Sequence, residues 1–134
     1  MTPLRQTMTE NMKLRGLASG TRDKYIGCVA RYARFFDTPP DRLDRPHVRD
    51  FLLYLHERGR DPSTIKLYRA ALLFLYVDTL GREAVMDGIP APRVPRRAPM
   101  PALSRQQVQA LVDAADPFFD RPFLSLLYGT GLRL

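Results

Sequence analysis

Apolar residues recur at helical spacing along this sequence, and proline or glycine interrupts the pattern at short intervals. This feature most constrains the fold. Segments open on Ser, Thr or Asp, the residues that accept hydrogen bonds from a helix N-terminus, and they end at Gly or Pro. The first 87 residues contain no segment with the apolar–polar alternation of a strand. The pattern predicts an all-α fold of short helices joined by short connections.

The front of the chain contains four such segments, which we interpret as a four-helix domain over residues 1–87. The predicted bounds are residues 3–15 after Thr2, a helix from Ser19 or Thr21 to Thr38-Pro39-Pro40, one from Asp44-Arg45-Pro46 to Gly59, and one from Asp61-Pro62 to about Leu80, stopped by Gly81.

Residues 88–103 differ in composition from the segments on either side. They hold five prolines together with Arg93, Arg96 and Arg97, which predicts an extended, semi-rigid linker. Behind it, Ser104 and Gln107 have the spacing of a capping box, and Asp120 with Pro122 predicts the start of a further helix. We therefore expect residues 104–134 to be two helices of an incomplete domain.

The positive charge of the chain is concentrated in its front part. The net charge is +7, and residues 1–102 hold 18 basic and 11 acidic side chains, whereas residues 103–134 hold three of each. Such an excess suits a polyanion, most commonly nucleic acid. A compositional preference for arginine is the alternative, and the charge alone does not separate the two.

Three motifs, taken in order, resemble the tyrosine recombinase (phage-type integrase) family across essentially the whole chain. They are LRGLASGTRDKY from Leu14 to Tyr25, DPSTIKLYRAALLFLY from Asp61 to Tyr76, and PALS at Pro101–Ser104 followed by LYGTGLR at Leu127–Arg133. The resemblance implies a four-helix SAM-like core-binding domain in residues 1–87 and the start of a catalytic domain in residues 104–134.

The resemblance also implies a reaction. In this family a tyrosine attacks a DNA phosphodiester and forms a covalent phosphotyrosyl link, without ATP, metal or another cofactor. Arg133 would be the first of two arginines that stabilise the phosphate in the transition state. The family's lysine, His-x-x-Arg pair and nucleophilic tyrosine match no position here, and His47 and His56 lie in the wrong domain to replace them. We expect this chain alone to bind DNA without cutting it.

By position, the resemblance implies that the second and fourth helices face adjacent DNA grooves, with the linker tracking the backbone. The expected DNA contacts are Thr21, Arg22, Lys24, Arg31 and Arg34, then Ser63, Thr64, Lys66 and Arg69, and finally Arg93, Arg96 and Arg97. An ordinary solvated surface charge is the alternative for each of them. The expected partners are double-stranded DNA and other recombinase subunits on it, with neither a membrane nor a small-molecule ligand.

Two further interpretations remain open. One is an accessory protein that occupies recombination sites without cutting, and the other is a helical protein-interaction module whose basic charge is incidental. The lone Cys28 is expected in the core. The front of the chain lacks an apolar signal segment, which predicts a cytoplasmic location.

Overall fold

The computed structural model describes residues 2–96 and 98–131, and every regular element in these ranges is helical, which confirms the all-α prediction. The six α-helices are α1 Pro3–Leu14, α2 Ser19–Phe36, α3 Arg45–Glu57, α4 Pro62–Leu73, α5 Arg105–Ala114 and α6 Asp120–Thr130. Short 3-10 turns cover Pro40–Arg42 and Glu83–Val85. None of the helices in the described ranges is long and apolar enough to cross a membrane.

Side-chain caps account for where several helices begin. The Thr2 hydroxyl accepts a bond from the Arg5 amide at 3.4 Å, and Ser104 and Gln107 form the predicted capping box.

The end of α2 differs from the prediction. The helix stops at Asp37, whose φ of 47° is left-handed, before the Pro39–Pro40 pair is reached. A short polar side chain tolerates this conformation, so the chain turns without the prolines.

The helix that begins as α4 changes its winding at its C-terminal end. Residues Phe74–Thr79 form a π-helical segment, which the sequence did not predict. The Asn11 side-chain amide donates to the Asp78 carbonyl at 3.2 Å, and Arg15 pairs with the Asp78 carboxylate at 2.5 Å. Two side chains of α1 therefore satisfy polar groups of the π segment, where the usual helical ladder is broken.

The core lies among α1–α4, the π segment and the 3-10 turn that follows it. Tyr32 stands near its centre, with its ring 5.2 Å from that of Phe51 and 5.5 Å from that of Phe36. The Tyr32 and Tyr76 hydroxyls lie 3.1 Å apart, and Tyr76 donates to the Pro40 carbonyl at 2.9 Å. Burial raises the pKa of both phenols, so both remain neutral.

The chain divides into two compact units between Pro95 and Arg96. The first unit continues past the predicted boundary at residue 87, because Ile89 is buried in its core and its carbonyl accepts two bonds from Arg69. Residues 88–95 are thus partly packed rather than wholly a spacer. The domain limits 1–87, 88–103 and 104–134 otherwise stay predictions.

The second unit is a pair of helices whose apolar side chains are open to solvent. Arg121 joins them by donating to the carbonyls of Val112 and Asp113 at 3.2 and 2.9 Å. Neither helix contains a buried residue. From α5 onward, the large exposed apolar side chains are Leu111, Phe118, Phe119, Phe123, Leu126 and Tyr128.

Candidate nucleic-acid interface

The two helices that the sequence singled out for DNA contact are neighbours in the fold. Near the start of α2, the Tyr25 ring lies 6.2 Å from that of Phe74, and further along α2, Arg31 bonds Tyr68 of α4. The earlier residue of α2 thus contacts the later residue of the other helix, so α2 and α4 pack antiparallel. Their polar residues can present a joint surface.

Arg31 is the cationic side chain that physically links the two helices. Its Nη1 donates to the Tyr68 hydroxyl at 3.1 Å, while the Tyr68 ring is buried and lies 5.5 Å from the ring of Phe51. Arg31 itself is exposed. The bond to Tyr68 raises the pKa of Arg31 above its already high ordinary value, so the guanidinium is permanently charged.

Two lysines accompany Arg31 on these helices. Lys24 lies seven residues before Arg31, which places both on the same side of α2, and Lys66 is exposed on α4. Neither lysine has a hydrogen bond or ion pair with any part of the chain that the structure describes. Helix α4 holds no acidic residue within its bounds. The charges of both lysines are therefore available to an outside anion.

Two other predicted contact residues, both arginines, have intramolecular partners. Arg22 donates to the Leu17 carbonyl at 2.6 Å, and the Arg69 guanidinium donates twice to Ile89, at 2.9 and 3.1 Å. Arg22 thus braces the turn before α2, and Arg69 holds the segment that follows the second 3-10 turn against α4. A role for either in DNA contact stays a prediction, although these bonds leave fewer donors for a phosphate.

Ser63 lies at the start of α4, where the sequence predicted a contact with DNA phosphate. The carboxylate of Asp61 already occupies this position. The Asp61 side chain accepts bonds from the Ser63 amide, at 2.8 Å, and from the Ser63 hydroxyl. A carboxylate at a helix N-terminus satisfies the same donors that a phosphate would use and repels a second anion. This arrangement argues against Ser63 as a phosphate contact.

The remaining predicted residues are dispersed. Thr21 and Thr64 are half-buried, whereas Arg34 is exposed and lines a groove of about 890 Å³ between α1 and α2. Arg93 and Arg96 are exposed on either side of the boundary between the two units. Arg97 and the catalytic-type Arg133 lie outside the described residues.

Tyr68 is the participant that the sequence did not single out as a polar residue. Its helical spacing from Ile65 and Leu72 is typical of an apolar helix face, and its ring does occupy the core. A buried tyrosine usually brings its hydroxyl to a polar partner at the edge of the core. That tendency was the available signal, but the identity of the partner depended on how α2 packs.

Comparison with known proteins agrees with this arrangement. Residues 4–85 match the family described as phage integrase, N-terminal SAM-like domain. A Sinorhizobium fredii protein named as an integrase/recombinase, y4qK, is 35% identical over 136 residues, which cover 100% of this chain and 44% of that relative.

Tyrosine recombinases named XerD are also similar over most of the chain. Those of Vibrio vulnificus and Vibrio cholerae are 31% and 32% identical over 135 residues, which are 90% of this chain and 43% of each relative. The chain thus spans less than half the length of the curated relatives it matches. With the family match covering more than half of its residues, the chain belongs to the tyrosine recombinase (phage integrase) family.

Proposed function

We propose that this chain binds double-stranded DNA as the DNA-holding part of a site-specific tyrosine recombinase. Its principal contacts are Lys24 and Arg31 on α2 and Lys66 on α4. The observation that carries the proposal is the position of Arg31, an exposed permanent cation fixed at the junction of these two helices. Membership of the recombinase family supports the same conclusion.

These three side chains suit phosphate better than base edges. Ammonium groups act as point charges, and a guanidinium can donate two parallel bonds to one phosphate. Contacts of this kind set the position and orientation of the protein on the duplex, whereas sequence is read from base edges in the grooves. We therefore expect the three residues to supply affinity with little sequence preference.

Salt dependence is the direct test, because neutralised phosphates release counterions. We expect anisotropy measurements with a fluorescent duplex to show affinity falling steeply with salt concentration. The triple variant K24Q/R31Q/K66Q should bind more weakly and flatten the slope of log affinity against log salt by about 2 to 3. Salt-independent binding by the wild type would contradict the proposal.

A matched variant separates local contacts from net charge. Arg42, Arg49 and Arg60 are exposed and lie outside α2 and α4. The variant R42Q/R49Q/R60Q removes the same charge as the triple variant, but from outside the proposed contact surface. We therefore expect it to lose less affinity and to change the salt slope less. Equal losses in the two variants would assign binding to overall charge. No binding by the wild type would favour the protein-interaction module instead.

We also propose that these 134 residues do not cleave DNA by themselves. Their sequence contains no His-x-x-Arg pair, and the Tyr32 and Tyr76 rings are fully buried. A covalent mechanism needs its nucleophile beside the groups that stabilise the developing charge. We expect no covalent adduct on a denaturing gel after incubation with a nicked suicide duplex. A protein–DNA adduct would contradict this part of the proposal.

A further inference from the structure

The Tyr68 hydroxyl is both a hydrogen-bond acceptor and a donor, and only its acceptor side is used within the described protein. It accepts from Arg31 Nη1 at 3.1 Å. No residue in the described part of the chain accepts its proton. A tyrosine hydroxyl can donate one hydrogen bond while accepting another. One donor of α4 thus remains available beside the guanidinium of α2.

Arg31 has unused donors at the same point. Its guanidinium has five N–H groups in one plane, and the bond to Tyr68 is the only one it makes to the described residues. Because Arg31 is exposed, the other N–H groups are accessible from solvent. Two neighbouring groups on the adjacent helices α2 and α4 therefore have hydrogen-bond donors that are not used within the described protein. The donors of Arg31 belong to a positively charged group.

Tyr68 also restricts where the guanidinium can be. The Tyr68 ring is anchored in the core, 5.5 Å from the ring of Phe51, and its hydroxyl holds one end of Arg31 before any ligand arrives. A long side chain normally loses rotamer entropy when it binds. Lys24 and Lys66, which lack such a contact among the described residues, do not share this advantage.

We propose that Arg31 and Tyr68 form a single phosphodiester-binding subsite, in which Tyr68 positions the guanidinium and donates its own proton to the same phosphate. A phosphodiester carries two non-bridging oxygens on one phosphorus, which matches two adjacent donors on the protein. The inference rests on the proposed DNA binding and adds a positioning residue to it. It assigns the neutral Tyr68 a larger part in affinity than its buried ring suggests.

The substitution Tyr68→Phe removes the hydroxyl and keeps the ring. We expect duplex affinity to fall about tenfold to a hundredfold, the effect of losing roughly one hydrogen bond to a charged group. The salt slope should stay unchanged, because no charge is lost. Tyr25→Phe is the matched control, since the Tyr25 ring packs against Phe74 and its hydroxyl bonds none of the described residues. It should bind as the wild type does.

A double-mutant cycle distinguishes the subsite from a general structural effect. Arg31→Gln should weaken binding and lower the salt slope by about 1. Adding Tyr68→Phe to it should cost less than twofold more, because the hydroxyl acts together with the guanidinium. Fully additive losses would overturn the shared subsite.

Other outcomes separate this inference from the proposed function. If Arg31→Gln weakens binding but Tyr68→Phe does not, the subsite is wrong while DNA binding by α2 and α4 stands. If the wild type fails to bind duplex, both are wrong. If the Tyr68→Phe variant unfolds at the assay temperature, the Arg31→Lys variant is measured instead. Lysine keeps the positive charge but lacks the planar guanidinium that Tyr68 holds. That variant should then show the wild-type slope with reduced affinity, and unreduced affinity would overturn the subsite.

Discussion

The two units of this chain are built from the same kind of sequence, yet they differ in what their helices bury. In the first unit, α1–α4 and the π segment enclose Tyr32, Leu72 and Leu75, which are inaccessible to solvent. In the second, α5 begins with a capping box and both α5 and α6 have apolar stripes, but neither contains a buried residue. Leu111 of α5 is 50% exposed.

This difference shows that amphipathic spacing and caps are enough to specify a helix but not a core. A helix stripe is buried only when several other elements cover it, and α5 has α6 alone within its own unit. Most of the stability of helices in proteins comes from such packing rather than from intrinsic propensity. We therefore expect equal substitutions in the two units to have unequal effects.

The largest contrast is expected for leucine truncation. Leu72→Ala should reduce the free energy of unfolding by about 2–5 kcal/mol, because it leaves a cavity in the packed core. Leu111→Ala, the same change at an exposed site, should alter it by less than about 0.5 kcal/mol. Urea unfolding followed by tyrosine fluorescence measures both, since the chain has six tyrosines and no tryptophan. Similar losses would show that the second unit is as well packed as the first.

The buried tyrosine pair offers a smaller contrast. Tyr76→Phe should cost about 1–3 kcal/mol, because the Tyr32 hydroxyl then has no partner and the bond to Pro40 is lost. Tyr128→Phe, on exposed α6, should change the free energy of unfolding little. Urea unfolding at neutral pH measures both variants. An equal effect of the two substitutions would contradict the contrast.

The same pair predicts a dependence on alkaline pH. Burial raises the pKa of Tyr32 and Tyr76 in the folded state above the unfolded value of about 10. Their neutral forms therefore contribute stability fully below that pH, and this contribution is lost as the pH rises above it. Urea midpoints between neutral pH and pH 11 should fall for the wild type and fall less for Y32F/Y76F. Identical pH profiles would show that the two phenols are not responsible.

Loss of a cap should act locally in the second unit. Ser104 accepts from the Gln107 amide at 3.2 Å, and Ser104→Ala should cost α5 about 1 kcal/mol. Far-ultraviolet circular dichroism should show less helix, whereas the urea midpoint of the first unit should not move. A lower midpoint would mean that folding of the two units is coupled.

The smallest contrast concerns helical glycines. A Cβ added at Gly27 in α2, or at Gly129 in α6, would meet nothing within 4 Å. Gly27→Ala should therefore stabilise the first unit by about 0.5–1 kcal/mol through the unfolded state. Gly129→Ala should increase helicity without changing the urea midpoint. Destabilisation by Gly27→Ala would reveal a steric conflict at that position.

Much of the fold was predictable because its signals are local. Thr2 with Pro3, Ser104 with Gln107 and Gly81 each lie within a few residues of the helix ends they define. The π segment at Phe74–Thr79 was not predictable, because Asn11 and Arg15, which bind it, are more than 60 residues away in sequence. The turn at Asp37 was missed because the prolines after it were the stronger local signal.

The candidate interface was predictable in outline but not in its contacts. Lys24, Arg31 and Lys66 are exposed, in agreement with their polar positions on α2 and α4. Arg22 and Arg69 are also basic and lie on the same two helices, yet both bond backbone carbonyls. The partner of Arg22 is Leu17 in the preceding turn, whereas the partner of Arg69 is Ile89, which only the fold brings within reach. Residue type therefore identified the cations, whereas their availability depended on hydrogen bonds that residue type does not reveal.

The sequence by itself determined that this chain forms helices, where most of them begin, and that its motifs resemble those of the tyrosine recombinase family. Hydrogen bonds to caps and the spacing of apolar residues act over one or two turns, so they can be read locally. Only the tertiary structure decided that Arg31 meets Tyr68 across 37 positions. That pairing requires two helices to pack antiparallel, and packing depends on the shapes of all the buried side chains together.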